Sequence, residues 1–188
     1  VLLIIFILVC LSVLTGLYFS VPAISLKRYR EINGESLTDL KLRTGLEFSV
    51  RVKEDPLVNA LSLPNNVIVV TSGLVKEGTE SLTSAIAHEL GHLQGRHHLK
   101  TFILLLGITS ISIYLLDVDV VLGLGLMLIG IVLVRYVSRH FEYSADRFAA
   151  ELVGRERYTR LLALHMNPRE KSSPLSTHPT VLNRLKKI

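Results

Sequence analysis

The sequence predicts an α+β fold, mostly helical with a small sheet, anchored in a membrane and interrupted by an apolar helical hairpin. Three observations carry that expectation. Hydrophobic residues make up 49% of the 188, and they are bunched: Val1 to Leu26 carries no charge, and Thr101 to Val134 carries only Asp117 and Asp119. Leu46, Phe48, Val50 and Val52 alternate with polar neighbours, as a half-buried strand does. Leu82, Ala85, Ile86 and Leu90 recur at helical spacing.

Each element follows from its own residues. A bilayer core needs about twenty apolar residues in a helix, so Val1 to Leu26 is long enough to cross. The run is too long for a signal peptide and lacks a small-residue cleavage site. Cys10, the sole cysteine, lies inside it and excludes an intrachain disulfide. Lys27 to Lys100 reads as the first part of a soluble domain, with a helix over Glu35 to Thr44 and strands over Leu57 to Leu63 and Val67 to Thr71. Pro64, Asn65 and Asn66 supply the turn between those strands. A further helix runs over Ser81 to Leu90, with Thr79 expected as its N-cap and Glu80 in the first turn, where the helix dipole favours an anion. Residues 101–134 are too many for one crossing and marginal for two, which predicts a hairpin turning at Leu116 to Val120. A buried core hairpin in a soluble protein is the competing expectation. Residues 135–188 form the second part of the soluble domain. Within it a helix around Glu142 ends at Gly154, Arg155 to His165 forms another, Asn167 to Ser176 is a polar loop, and Pro179 opens a short final helix.

The stretch AIAHELGHLQGRHH, Ala85 to His98, carries the chemistry. His88, Glu89 and His92 fit the H-E-x-x-H pattern, which needs a helix because residues four apart there share one face. Two neutral imidazoles and a carboxylate would leave a fourth position open for water, the arrangement of a catalytic zinc site with one Zn²⁺ per chain. Bound zinc lowers the pKa of water from about 16 to about 7, and Glu89 is placed to accept that water's proton during attack on a peptide carbonyl.

Two candidates compete for the third ligand. His98 follows His92 by six residues with Gly95 between, fitting the longer H-E-x-x-H-x-x-G-x-x-H pattern in which a glycine turn brings in a third histidine. That pattern also expects a Met-turn, for which Met166 is the available residue, since Met127 lies in the apolar run. The other candidate is Glu142 in HFEYSADRFAA, which shares a helix face with Asp146. One of that pair would bind metal while the other orients a ligating histidine. If His98 is not a ligand, His97 and His98 read as a charged helix end near lipid headgroups.

Four segments resemble the membrane zinc metallopeptidases of the HtpX and CAAX-prenyl-protease type, whose zincin-like domain is built around such a helix. NALSLPNNVIVVTSGLV, Asn59 to Val75, is similar to the family's asparagine-alanine motif and the strand before the catalytic helix; HELGH follows; FEYSAD is similar to its glutamate-ligand helix; THPTVLNRL, Thr177 to Leu185, is similar to its histidine-proline motif with a later arginine. The resemblance implies Glu142 as third ligand, Asp146 as its companion, and His178 or Arg184 as the group stabilising the oxyanion. It implies turnover of damaged membrane proteins, with removal of a prenylated tail the lesser alternative, because the chain has few apolar segments.

Location and partners follow from the flanking charges. Lys27, Arg28, Arg30, Arg96, Lys100, Arg135 and Arg139 border the apolar blocks on the side of the motifs, and the positive-inside rule then places the catalytic part in the cytoplasm of a multi-pass cell-membrane protein. The same residues account for the net charge of +5 and attract anionic lipid. Nucleic acid is excluded as a partner, since the basic residues are not interleaved with stacking aromatics. The expected partners are the bilayer and a polypeptide, itself a membrane protein. Were the strand Val67, Ile68, Val69 and Val70 at a sheet edge beside the metal, with Asn59 nearby, an extended substrate would pair with its backbone. A noncatalytic scaffold of the same fold and a membrane-surface module with incidental histidines are the alternatives to an endopeptidase. An intact Glu89 argues against the scaffold.

Overall fold

The structure, a computed structural model, describes residues 2–165 and 179–188. Helix α1 (Leu2–Ser25) leads through a 3₁₀ turn (Leu26–Arg28) into strand β1 (Arg30–Ile32), helix α2 (Glu35–Thr44) and strands β2 (Ser49–Lys53), β3 (Ala60–Leu63) and β4 (Val67–Thr71). Helices α3 (Ser72–Lys76), α4 (Thr79–Gln94), α5 (His97–Val118), α6 (Val120–Val153), α7 (Arg155–Leu164) and α8 (Val181–Leu185) follow. The mixture of helices and a small sheet is the fold class expected.

The sheet runs in the order β1-β2-β4-β3, with β2 and β4 parallel and the outer strands antiparallel. Val50, Val52, Ile68 and Val70 face α2 and α4 and join Leu37, Leu40, Ile86 and Leu90 in the main core. Val67 and Val69 face the other way onto Leu26. Here one expectation fails. Strand β4 is interior, bonded on both sides and buried along its length, so Val67, Ile68, Val69 and Val70 offer no edge to a substrate. The outer strands are β1 and β3, and β3 is the one whose Ala60 lines the cleft with His88 and Glu142.

Two caps also differ. Helix α4 starts one residue earlier than a Thr79 cap would allow, because Gly78 adopts φ 104° and turns the chain out of α3 there. At α8 the N-cap is Thr180, whose hydroxyl accepts from the Asn183 N–H, so Pro179 lies just outside the helix.

The apolar block folds as the expected hairpin. Asp119 forms its corner, accepting the Leu122 N–H and so capping α6. Gly123 and Gly130, seven apart on one face of α6, lie against Leu116 and Ile108 of α5 and let the arms pack closely. Apolar side chains on the outside remain exposed, Val121 at 78% and Leu128 at 67% among them. Most of the apolar surface of α5 and α6 lies outside the protein interior, unlike the core helix of a soluble protein, and both helices are long and apolar enough to cross a membrane. Between Gly130 and Gly154 no glycine or proline breaks the chain. The second arm therefore continues past Arg135 without interruption into the segment bearing Glu142 and Asp146.

Candidate metal centre

Helix α4 crosses α6 at Gly91, the glycine of HELGH. A Cβ there would stand 2.8 Å from the Ala145 Cα, so only glycine permits this approach. The crossing brings together faces that are fifty residues apart in sequence. His88 and His92 project from α4, and Glu142 projects from α6 one turn before the crossing, buried at 6% exposure.

The three side chains converge. His92 Nε2 lies 3.2 Å from His88 Nε2, while Glu142 places Oε2 3.5 Å from His88 Nε2 and Oε1 3.4 Å from His92 Nε2. Donors held at zinc bond lengths of about 2.0–2.1 Å in a tetrahedron stand roughly 3.4 Å apart, so the set fits such an ion with little rearrangement. Among the described residues this is the group whose ligand atoms cluster in this way. The electrostatics favour a cation as well. Burial alone would push His88 down, but hydrogen bonds to Asp146 and Glu142 outweigh it and hold its pKa up at about 9.

Behind His88 lies a buried polar cluster. Its Nδ1, on the ring edge away from Glu142, is 3.1 Å from Asp146 Oδ1 and 2.9 Å from the Tyr158 hydroxyl. Tyr158 donates to Asp146 Oδ1 at 2.7 Å. Arg184 donates to the same carboxylate through Nη2 at 2.6 Å and Nε at 2.9 Å, and through Nη2 to the Tyr158 oxygen at 3.1 Å. Asp146 is fully buried. Burial raises its pKa, yet His88 and Arg184 overcome that and hold it down at about 2. The carboxylate thus holds Nδ1–H of His88 and turns Nε2 toward Glu142, the nitrogen that would bind a metal on giving up its proton. Arg184, expected at the oxyanion, is engaged here, though it also lines the cleft. Tyr158 was not singled out by sequence, where a tyrosine in register with Leu161 and Leu162 reads as core.

The remaining candidates separate. Glu89 shares a cleft of about 340 Å³ with His88, Glu142, Asn59 and Arg184. Its Oε2 accepts from both the backbone N–H and the hydroxyl of Ser62, each at 2.7 Å. Asn59 ties β3 to β4: its N–H donates to Thr71 Oγ1 and its carbonyl accepts from the Thr71 N–H. His98 turns to the Ser62 hydroxyl at 3.0 Å and does not join the ligand cluster, because Arg96 at φ 50° restarts the chain as α5 in a new direction. His97 is no headgroup-facing charge. It is buried, stacks on Phe141 and brings Nδ1 within 3.1 Å of His92 Nδ1. His178 and Met166 lie outside the described residues.

The model of peptidase family M48 matches residues 27–188, nearly all of the chain beyond α1. The chain belongs to peptidase family M48. The resemblance carried by HELGH and FEYSAD therefore holds at the level of this family of metallopeptidases. No curated protein matches the chain. Among solved structures, S. mikatae Ste24p has the same fold, with a TM-score of 0.70 at 20% identity over 98% of this chain and 58% of that one. This M48 chain thus spans a little over half the length of that protein.

Proposed function

We propose that this M48 chain is a membrane-anchored zinc endopeptidase. The observation that carries the reading is the convergence of His88, His92 and Glu142 from two sequence-distant helices at donor spacings suited to one zinc ion. When bound, zinc supplies Lewis acidity to water and to the scissile carbonyl. Glu89, in the same cleft, takes the water's proton and returns it to the leaving nitrogen. Asp146 holds His88 in its ligating tautomer, and Tyr158 and Arg184 hold Asp146. His178 and the cleft-facing part of Arg184 are the candidates for stabilising the oxyanion.

The substrate is an extended polypeptide. Strand β3 is the outer strand beside the cleft, which Ala60 and Asn59 line with His88 and Glu142, so an extended segment running along β3 would pass alongside them. His92 and His98 line a second cavity of about 630 Å³ that reaches Leu99 in the first turn of α5 and Tyr18 within the apolar helix α1. That position supports cleavage near the bilayer, in membrane proteins under quality control. The basic residues flanking the apolar blocks support a cytoplasmic site. Cleavage mapping on a peptide library checks the backbone-pairing mode, against which a strict side-chain requirement at several subsites would count.

The deciding experiment measures zinc content and peptide hydrolysis of the full chain in detergent. One zinc per chain is expected, lost in Glu142→Ala and kept in His98→Ala. Glu89→Gln is expected to keep zinc and lose hydrolysis. Hydrolysis at the wild-type rate in Glu89→Gln would end the peptidase reading.

A further inference from the structure

Glu89 is held by a strand that sequence gives no reason to connect with it. Both bonds from Ser62 fall on one oxygen, Oε2. The Ser62 hydroxyl donates its single hydrogen to Glu89 Oε2. Its contact with His98 Nε2, at 3.0 Å, then requires the imidazole to be the donor. The proton positions are thereby fixed along a relay of bonds, from His98 Nε2–H to Ser62 Oγ–H to Glu89 Oε2. Ser62 is 5% exposed.

We propose that Ser62, oriented by His98, is a positioning residue for the Glu89 carboxylate. Two donors on Oε2 set the rotation of the carboxyl group and leave Oε1 to meet the water. They also come from different levels of structure. The Ser62 N–H is a fixed feature of the β3 edge, whereas the hydroxyl is a side chain whose rotamer needs a second partner, and His98 is that partner. This gives His98 a role other than the metal ligation that its spacing raised. The inference rests on the peptidase reading, since positioning Glu89 matters only if Glu89 moves the proton.

The test uses the full chain in detergent with a fluorogenic peptide, and every variant is first checked for wild-type zinc content and unfolding temperature. A lost hydrogen bond to a charged group corresponds to about a 10- to 100-fold fall in kcat for Ser62→Ala, with KM within about twofold. Ser62→Thr, which keeps the hydroxyl, is expected to recover most of that loss. His98→Leu is expected to lower kcat about 3- to 10-fold, and His98→Gln, which keeps an N–H donor, to stay near wild type. An unchanged kcat in Ser62→Ala, an equal loss in His98→Gln and His98→Leu, or loss of zinc in His98→Leu would each overturn the proposal. Glu89→Gln separates the two failures. If it is inactive while Ser62→Ala is unaffected, the peptidase reading stands and the positioning role falls; if it is fully active, both fall.

Discussion

Gly91 of α4 rests against Ala145 of α6 so closely that a Cβ on Gly91 would come within 2.8 Å of the Ala145 Cα and 3.1 Å of its carbonyl oxygen. The obstacle is backbone, which cannot rotate away as a flexible side chain would. Gly91→Ala must therefore push the two helices apart, and it does so between His88 and His92 on one side and Glu142 on the other. Zinc affinity is expected to fall at least tenfold, with a stability loss of about 1–3 kcal/mol from overpacking. A competitive chelator titration reads the first and thermal unfolding the second. Wild-type affinity in Gly91→Ala would mean that the ligands do not depend on this crossing.

Asp146 and Arg184 form an ion pair at 2.6 Å with the carboxylate fully buried. Removing one partner of such a pair leaves the other charge uncompensated, a cost of about 3–5 kcal/mol. Asp146→Ala is therefore expected to destabilise more than Tyr158→Phe, which deletes one hydroxyl and should cost about 1 kcal/mol. Both act on His88 from behind, so zinc affinity should drop about 10- to 100-fold in Asp146→Ala. Calorimetry of the two variants orders them, and a larger loss in Tyr158→Phe would contradict the geometry.

Acid should unfold the chelator-treated protein through the same carboxylate. Asp146 is held at about 2, below its ordinary 3.8. A depressed carboxylate stabilises the fold above its ordinary pKa and loses that contribution as pH falls through the folded value. The difference corresponds to about 2 kcal/mol. The contribution of Asp146 is expected to be steady above pH 4 and to disappear between pH 4 and 2. In Asp146→Asn that segment of the stability profile should flatten. A profile unchanged by the substitution would show that Asp146 is not the group being titrated.

Much of this centre was legible in the sequence because its signals are local. The four-residue spacing within HELGH fixes one helix face, and the same spacing of Glu142 and Asp146 fixes another. Gly154 marks the end of α6, and Gly45, in a left-handed conformation, the end of α2. The expectation of β4 at an edge misjudged its interior place, although an unbroken run of four β-branched residues belongs to a strand buried on both faces. What had no local signal was pairing across distance. Ser62 meets Glu89 across 27 residues and Tyr158 meets His88 across 70, and nothing in a serine on a strand or a tyrosine in an apolar stripe names its partner. The continuity of α6 was hidden for another reason: the polarity change at Arg135 looks like a boundary in composition, although helix formation does not stop at the membrane surface.

The depth of the hairpin follows from the same continuity. Between Lys100 and Asp117 lie Thr101 to Leu116, about 24 Å of helix, and Val120 to Val134 gives about 22 Å on the return. A hydrocarbon core of roughly 30 Å exceeds both. Lys100 and Arg135 are long enough to bury their stems and keep their charges at the surface, which makes up most of the difference. The remainder is within the thinning a bilayer tolerates. The corner around Asp119 is therefore expected to reach the far interface. A cysteine at Val118, which is 64% exposed, in a Cys10→Ala background gives the measurement. In sealed vesicles, an impermeant maleimide should label it only from the face opposite the catalytic domain. Labelling that appears only after detergent would show a hairpin that stops inside the bilayer.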